Sequence, residues 1–182
     1  ENRRLGSVGK PLTVNNIQIL DQDNKLLPSK TIGRIVVLGD NISNFVDEKT
    51  GNSQSGILET GDIGYLDEEN FLWLSGRNQD IIKRAGYRIS PYEIEDAILK
   101  IYPNLQVCVI GVQHDLLGQD IVAFASREED ELSARDIIKE LKFNLASYKI
   151  PSEIIFLDDI PLIGVGKVDK VKLKALYKSM FS

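Results

Sequence analysis

The feature that most constrains this chain is a change of periodicity near Gly76. Up to that point the apolar residues recur at the two-residue spacing of strands. "NNIQIL" (15–20) alternates polar and apolar side chains, and "GRIVVLG" (33–39) is a β-branched run. "IGYL" (63–66) and "FLWL" (71–74), joined by the acidic turn "DEEN", read as a hairpin. A polar, Gly/Ser-rich loop is expected at 47–56. Residues 1–76 therefore predict a small β-rich, barrel-like subdomain: a twisted sheet or a barrel.

Beyond Gly76 strands and helices alternate. "DIIKRAGYRI" reads as two short strands around Gly86. "SPYEIEDAILKI" opens with a capping-box pattern, Ser90 as N-cap, Pro91 at the first helical position and Glu93 at the third. Ile94, Ala97, Ile98 and Ile101 then follow helical spacing. "LQVCVIGV" (105–112) is apolar on both faces, as a central strand would be, and "IVAFAS" (121–126) is another strand. Ser133 with Asp136 opens a second helix whose stripe is Ala134, Ile137, Ile138, Leu141 and Leu145. "EIIFL" (153–157) is a last strand. A final helix carries Leu173, Leu176, Tyr177 and Met180 on one side and Lys170, Lys174 and Lys178 largely on the other. Residues 77–182 thus predict an α+β domain with a central sheet and packed helices.

Composition excludes some functions. A net charge of −5 argues against a broad electrostatic grip on nucleic acid. No apolar run approaches the roughly 20 residues a membrane-spanning helix needs. The one cysteine, Cys108, lies in an apolar run and reads as a buried strand residue; together with the lack of a signal-peptide pattern this suggests a cytoplasmic setting. The opening "ENRRLGSVGKPL" reads as a loop entering a strand, so a piece of a longer protein is expected.

Three polar stretches can carry chemistry. In "ETGDIGYL" (59–66), Asp62 follows Gly61 before a strand. Its carboxylate could accept two hydrogen bonds from a sugar diol, or simply cap a turn. "SGRNQDIIKRAGYRIS" (75–90) gathers Arg77, Lys83, Arg84 and Arg88 with two glycines. These suit phosphate and ribose contacts, or the solvated face of a strand pair. In "IGVGKVDK" (163–170), two glycines precede Lys167, which is either a surface charge or a mobile one that meets a phosphate or carboxylate oxygen. The spacing is not that of a phosphate-binding P-loop. His114, the single histidine, has no partner for metal or nucleophile chemistry and reads as a loop residue; no metal ligands are assigned. The acidic run "REEDE" (127–131) reads as a solvated loop.

Taken in order, "GSVGKPL" (6–12), "GRIVVLGDNI" (33–42), "TGDIGYLDEENFLWLSGR" (60–77), "DIIKRAGYRISPYEIE" (80–95), "VIGVQHDLLGQDIVAF" (109–124) and "ASYKIPSEIIFLDDIPLIGVGKVDK" (146–170) resemble the C-terminal portion of the adenylate-forming superfamily. That superfamily contains acyl-CoA synthetases, carrier-protein adenylation domains and luciferases. The resemblance implies an ATP-dependent, AMP-forming ligase: a carboxylic acid is adenylated, then passed to the thiol of CoA or of a carrier protein, with Mg2+ on the triphosphate. It implies that Asp62 holds the ribose hydroxyls and that Arg77 also contacts the nucleotide. Lys167 would bridge the acyl carboxylate and the α-phosphate in the first step. Gly86 would line the pantetheine tunnel in the second, with Lys83 on the same face and Arg88 near the phosphates or the thiol donor. Gln79 stands at the hinge, where the family commonly has Asp or Lys. The phosphate loop and acyl pocket of the family lie upstream of all these stretches. The resemblance therefore makes 1–76 the last subdomain of a large N-terminal region and 77–182 a mobile lid, inactive without the N-terminal domain. A non-catalytic binding module is the reading of a different class; the joint presence of Asp62, Arg77 and Lys167 argues against it.

Overall fold

The structure, a computed structural model, describes residues 4–42, 45–46, 53–54, 56–127, 132–164 and 166–180. The expected loop at 47–56 and the run "REEDE" fall mostly outside the described residues. The chain divides into two compact units, Glu1–Gln79 and Asp80–Ser182. The last strand of the first sheet runs on through Arg77, which pairs with Asp62.

In the first unit, β1 (Asn16–Leu20), β2 (Gly33–Leu38), β5 (Ile57–Leu66) and β6 (Leu72–Arg77) form an antiparallel sheet in the order β1-β2-β5-β6. Between β2 and β5 lies a two-stranded pair, β3 (Phe45–Val46) with β4 (Ser53–Gln54). Of the two forms left open by the sequence, sheet or barrel, these four strands make a sheet. Ile19, Ile35 and Leu72 are its buried centre, and Ile19 and Ile35 face each other across β1–β2. The β5–β6 turn is built on a buried carboxylate. Asp67 Oδ1 accepts the N–H groups of Glu69 (2.9 Å) and Phe71 (3.0 Å), while Oδ2 accepts Trp73 Nε1 (3.1 Å) and Arg4 Nη1 (2.8 Å). Burial by itself would raise this carboxyl. The N–H of Phe71, the indole of Trp73, the N–H of Glu69 and the Arg4 charge overcome that and hold its pKa at about 2.

The second unit has β10 (Gly118–Ser126) at its centre. β9 (Val107–His114) pairs it antiparallel on one side, and β11 (Glu153–Leu157) pairs it parallel on the other. The hairpin β7 (Ile82–Arg84) and β8 (Tyr87–Ile89) joins the sheet where Arg84 meets Gly118. Thus β9, expected to be central, pairs only with β10 among the described residues. Its two apolar faces have another cause: helices cover both sides. Val109 packs with α1 (Pro91–Ile101) and α2 (Ala134–Asn144) through Ile94, Ile98, Ile137 and Leu141. Cys108, Ile110 and Val112 pack with Leu173 of α3 (Lys170–Met180). The edge of β9 is blunted as well, because Glu95 Oε1 accepts the Val109 N–H at 2.8 Å.

The helix starts differ. Ser133 Oγ accepts the Asp136 N–H at 3.2 Å, completing the cap expected for α2. Ser90 holds the N-cap position of α1 without a side-chain capping hydrogen bond, and Glu93 Oε1 takes Lys149 Nζ at 2.5 Å. The lysine face of α3 is also not uniformly solvated, since Lys170 turns to Asp80. Before α3, β12 (Leu162–Ile163) and β13 (Lys167–Val168) form a short hairpin of their own. No helix among the described residues is long and apolar enough to cross a membrane.

Candidate functional site

In the first unit, the sheet register places Asp62. Val36 pairs with Glu59 and Arg34 with Ile63, so residues 60–62 of β5 stand opposite the single residue Ile35. Such a bulge re-aims side chains. Gly61 supplies the turn with a φ of +75°. Thr60 secures it: its Oγ1 donates to the Ile35 carbonyl (3.0 Å) and accepts the Asp62 N–H (3.1 Å). Next to the bulge, close packing requires Gly64, where a Cβ would lie 2.2 Å from the Trp73 carbonyl oxygen. Asp62 and Arg77 are direct partners across β5–β6, and Arg77 Nε lies 2.9 Å from Asp62 Oδ1. The Arg77 side chain is more than half exposed, so the pair itself adds little stability. It presents an acceptor for hydroxyls beside a planar cation, a combination suited to a sugar joined to a phosphate. Gln79 lies in the 3-10 turn Asn78–Asp80 that follows.

The second unit carries two hairpins. In β7–β8, the loop is the pair Ala85–Gly86, with φ of 49° and 84°. Positive φ at both positions is the two-residue turn whose twist matches flanking strands. Ala85 is held in this unfavourable region by its N–H bond to the Leu117 carbonyl, at 2.8 Å. Around Gly86 the space is open; it is the φ that favours glycine there. Lys83 and Arg88 are cross-strand partners, so their exposed side chains leave one face of the hairpin together. Arg84 does a different job. Its guanidinium bonds the carbonyls of Tyr148 and Ile150 and lies 3.0 Å from Asp120 Oδ1, tying β7 to β10 and to the segment after α2. The Tyr87 ring stacks on Tyr148 with centroids 4.1 Å apart, a contact with no sequence signature.

Lys167 belongs to the other hairpin, paired with Ile163 and exposed. The turn includes Gly164 and Gly166, both at positive φ. The segment expected to be a flexible loop is therefore a short strand pair, closed at its base by the Asp169 N–H to the Pro161 carbonyl (2.8 Å). Directly behind it lies a partly buried charge cluster that sequence reasoning missed. Lys170 Nζ is 2.6 Å from Asp80 Oδ2, and the Glu95 charge acts on the same ammonium. Burial alone would lower the lysine's pKa; Asp80 and Glu95 reverse this and raise it. Burial raises Glu95. It also pushes the Cys108 thiol up to about 12, helped by the Glu95 charge. Each residue of this cluster lies in a different element, so no local spacing advertises it. Outside the cluster, His114 Nδ1 accepts the N–H groups of Leu116 and Leu117, the loop role expected for it.

One unit thus carries a carboxylate–guanidinium pair beside a bulge, and the other carries two glycine-turned hairpins bearing exposed basic side chains. Residues 93–167 match the AMP-binding enzyme C-terminal domain family. The 2-succinylbenzoate–CoA ligase of Bacillus cereus (strain ATCC 10987 / NRS 248) is 36% identical over 97% of this chain, which spans 37% of that protein. The oxalate–CoA ligase of Saccharomyces cerevisiae (strain ATCC 204508 / S288c) is 32% identical over 92% of the chain, which spans 32% of it. Among solved structures, ATP-bound MatB from Rhodopseudomonas palustris superposes on the whole chain with a TM-score of 0.87 at 30% identity, the chain covering 38% of it. The chain belongs to the adenylate-forming enzyme superfamily and carries its C-terminal domain.

Proposed function

We propose that this chain is the C-terminal region of an ATP-dependent, AMP-forming acid–thiol ligase that makes acyl-CoA. The reading is carried by the pair that Asp62, on the 60–62 bulge, makes with Arg77 at the end of β6, in a chain alike over nearly its whole length to proteins named as CoA ligases. Asp62 accepts the ribose hydroxyls of ATP, and Arg77 holds the nucleotide beside it. In the first step a carboxylate oxygen of the acid attacks the α-phosphorus and pyrophosphate leaves. Two anions approach one another there, and Lys167 offsets the charge that builds between them. In the second step the thiol of CoA attacks the acyl carbonyl and AMP leaves. For that step the β7–β8 face, with Lys83, Gly86 and Arg88, takes the place of the lysine hairpin, the second unit turning about Gln79.

Mg2+ would neutralise the triphosphate. Among the described residues no group of three or more His, Cys, Asp or Glu side chains gathers, so no residue of this chain is assigned to it. The acyl pocket is assigned to the remainder of the longer protein, and with it the choice of acid.

In the full-length enzyme, Lys167→Ala lowers ATP–pyrophosphate exchange by about 10²–10³-fold yet largely spares thioester formation from supplied acyl-adenylate. Equal loss in both steps would refute the two-step division. The 182-residue chain by itself shows no exchange. Offering CoA against a carrier-protein thiol separates the acyl-CoA reading from carrier loading, the alternative that leaves every residue role above unchanged.

A further inference from the structure

The charge cluster behind the lysine hairpin takes no part in either step above. Lys170 is the first residue of α3, and Asp80 is the first residue of the second unit. Their side chains are only 32% and 27% exposed, and Nζ to Oδ2 is 2.6 Å. Glu95 Oε1 is engaged by the Val109 N–H, and its charge acts on the same ammonium. A partly buried ion pair of this kind gains little net stability over an apolar pair of similar size, because desolvation offsets much of the attraction. What it provides that apolar packing does not is a fixed short link between two backbone points.

Those two points are informative. Asp80 directly follows Gln79. Lys170 follows Lys167 after only Val168 and Asp169, so it can lie no further than ~10 Å along the chain from it. The same stretch is held by Asp169, whose N–H bonds Pro161 and whose Oδ1 accepts the Lys172 N–H at 2.9 Å. With the hairpin closed at its base and Lys170 anchored, the position of the Lys167 backbone is referred directly to the segment after Gln79. We propose that Asp80 and Lys170 are positioning residues for Lys167: their ion pair sets where the lysine hairpin stands in the carboxylate-activating step, without touching substrate.

This inference rests on the role proposed for Lys167. The test uses the full-length enzyme and measures both half-reactions. Asp80→Asn and Lys170→Met each lower acyl-adenylate formation by about 10- to 100-fold, the scale of a small misplacement of a reacting group. Thioester formation from supplied acyl-adenylate stays within about twofold, and the double variant is no worse than either single one, as for two residues acting through one link. Lys170→Arg, which keeps the charge, restores most of the rate. Amide exchange of residues 167–173 speeds up in Lys170→Met. Parallel loss of both half-reactions tracking a lower melting temperature would overturn the proposal, as would folded variants with unchanged adenylation. Lys167→Ala is run alongside. If adenylation survives it, the role of Lys167 itself fails; if only Lys167→Ala has an effect, the positioning link alone fails.

Discussion

The two hairpins of the second unit invite comparison. Both are basic and both turn through glycine at positive φ, yet they are mounted differently. β7–β8 is joined to the sheet through Gly118, braced by Arg84 and covered by the Tyr87–Tyr148 stack. β12–β13 has two residues per strand, and its bases are the Asp169–Pro161 bond and the start of α3. One face is part of the sheet; the other is carried on a short arm whose position depends on the helix that follows. Under the function proposed above, the thiol step would fall to a preformed surface and the adenylation step to a side chain that must be aimed.

The largest way to test that contrast is the Lys167→Ala variant, expected to cost about 10²–10³ in adenylation, or ~4 kcal/mol at the upper end, with the thiol step spared. Leu173→Ala attacks the arm's support. Leu173 is fully buried where α3 meets the sheet, so its truncation is expected to cost about 3 kcal/mol. Hydrogen exchange should rise more at 162–173 than at 82–89; a uniform rise would break the contrast. Gly86→Ala perturbs the other hairpin. A Cβ at Gly86 meets nothing within 4 Å, so the cost is conformational only, about 1 kcal/mol. Gly86→Asn, which tolerates positive φ better, should cost less by chemical denaturation, whereas equal costs would point to a hidden steric contact. The smallest effect near neutrality is a reference outside both hairpins. Asp67 has a folded pKa of about 2 against an ordinary 3.8. Its stabilisation is therefore complete above about pH 4 and lost as pH falls through about 2. Trp73, the single tryptophan and a donor to Asp67, reports this by fluorescence. Asp67→Asn should flatten that acid response.

Much of the fold was legible because local pattern and tertiary role agree. The alternation in "NNIQIL", the capping residues Ser133 and Asp136, and the glycine between "IKR" and "YRI" each encode their own element. β9 was misplaced at the sheet centre for a physical reason. Burial on both faces reads the same whether neighbouring strands or packed helices provide it, and periodicity carries no record of which. Asp62 and Arg77 stood out individually, but their pairing depends on a register shift between β5 and β6, which leaves Ser75 over between the Ile63–Gly76 and Gly64–Leu74 pairs and which no pattern flags. The Lys170–Asp80–Glu95 cluster was illegible altogether. Lys170 sits at helical spacing with Lys174 and Lys178, so the helical stripe assigns it to solvent, and only the tertiary fold brings Asp80 to it.

Cys108 has a consequence for chemistry it does not perform. A ligase of the proposed kind makes an activated acyl group and then offers it a thiol. Any other thiolate within reach would compete as an acceptor, or trap CoA as a mixed disulfide. This chain has one cysteine, buried between β9 and α3, with its pKa pushed up to about 12. At neutral pH it stays protonated and enclosed, so under the proposed function this chain would offer the acyl group no sulfur nucleophile of its own.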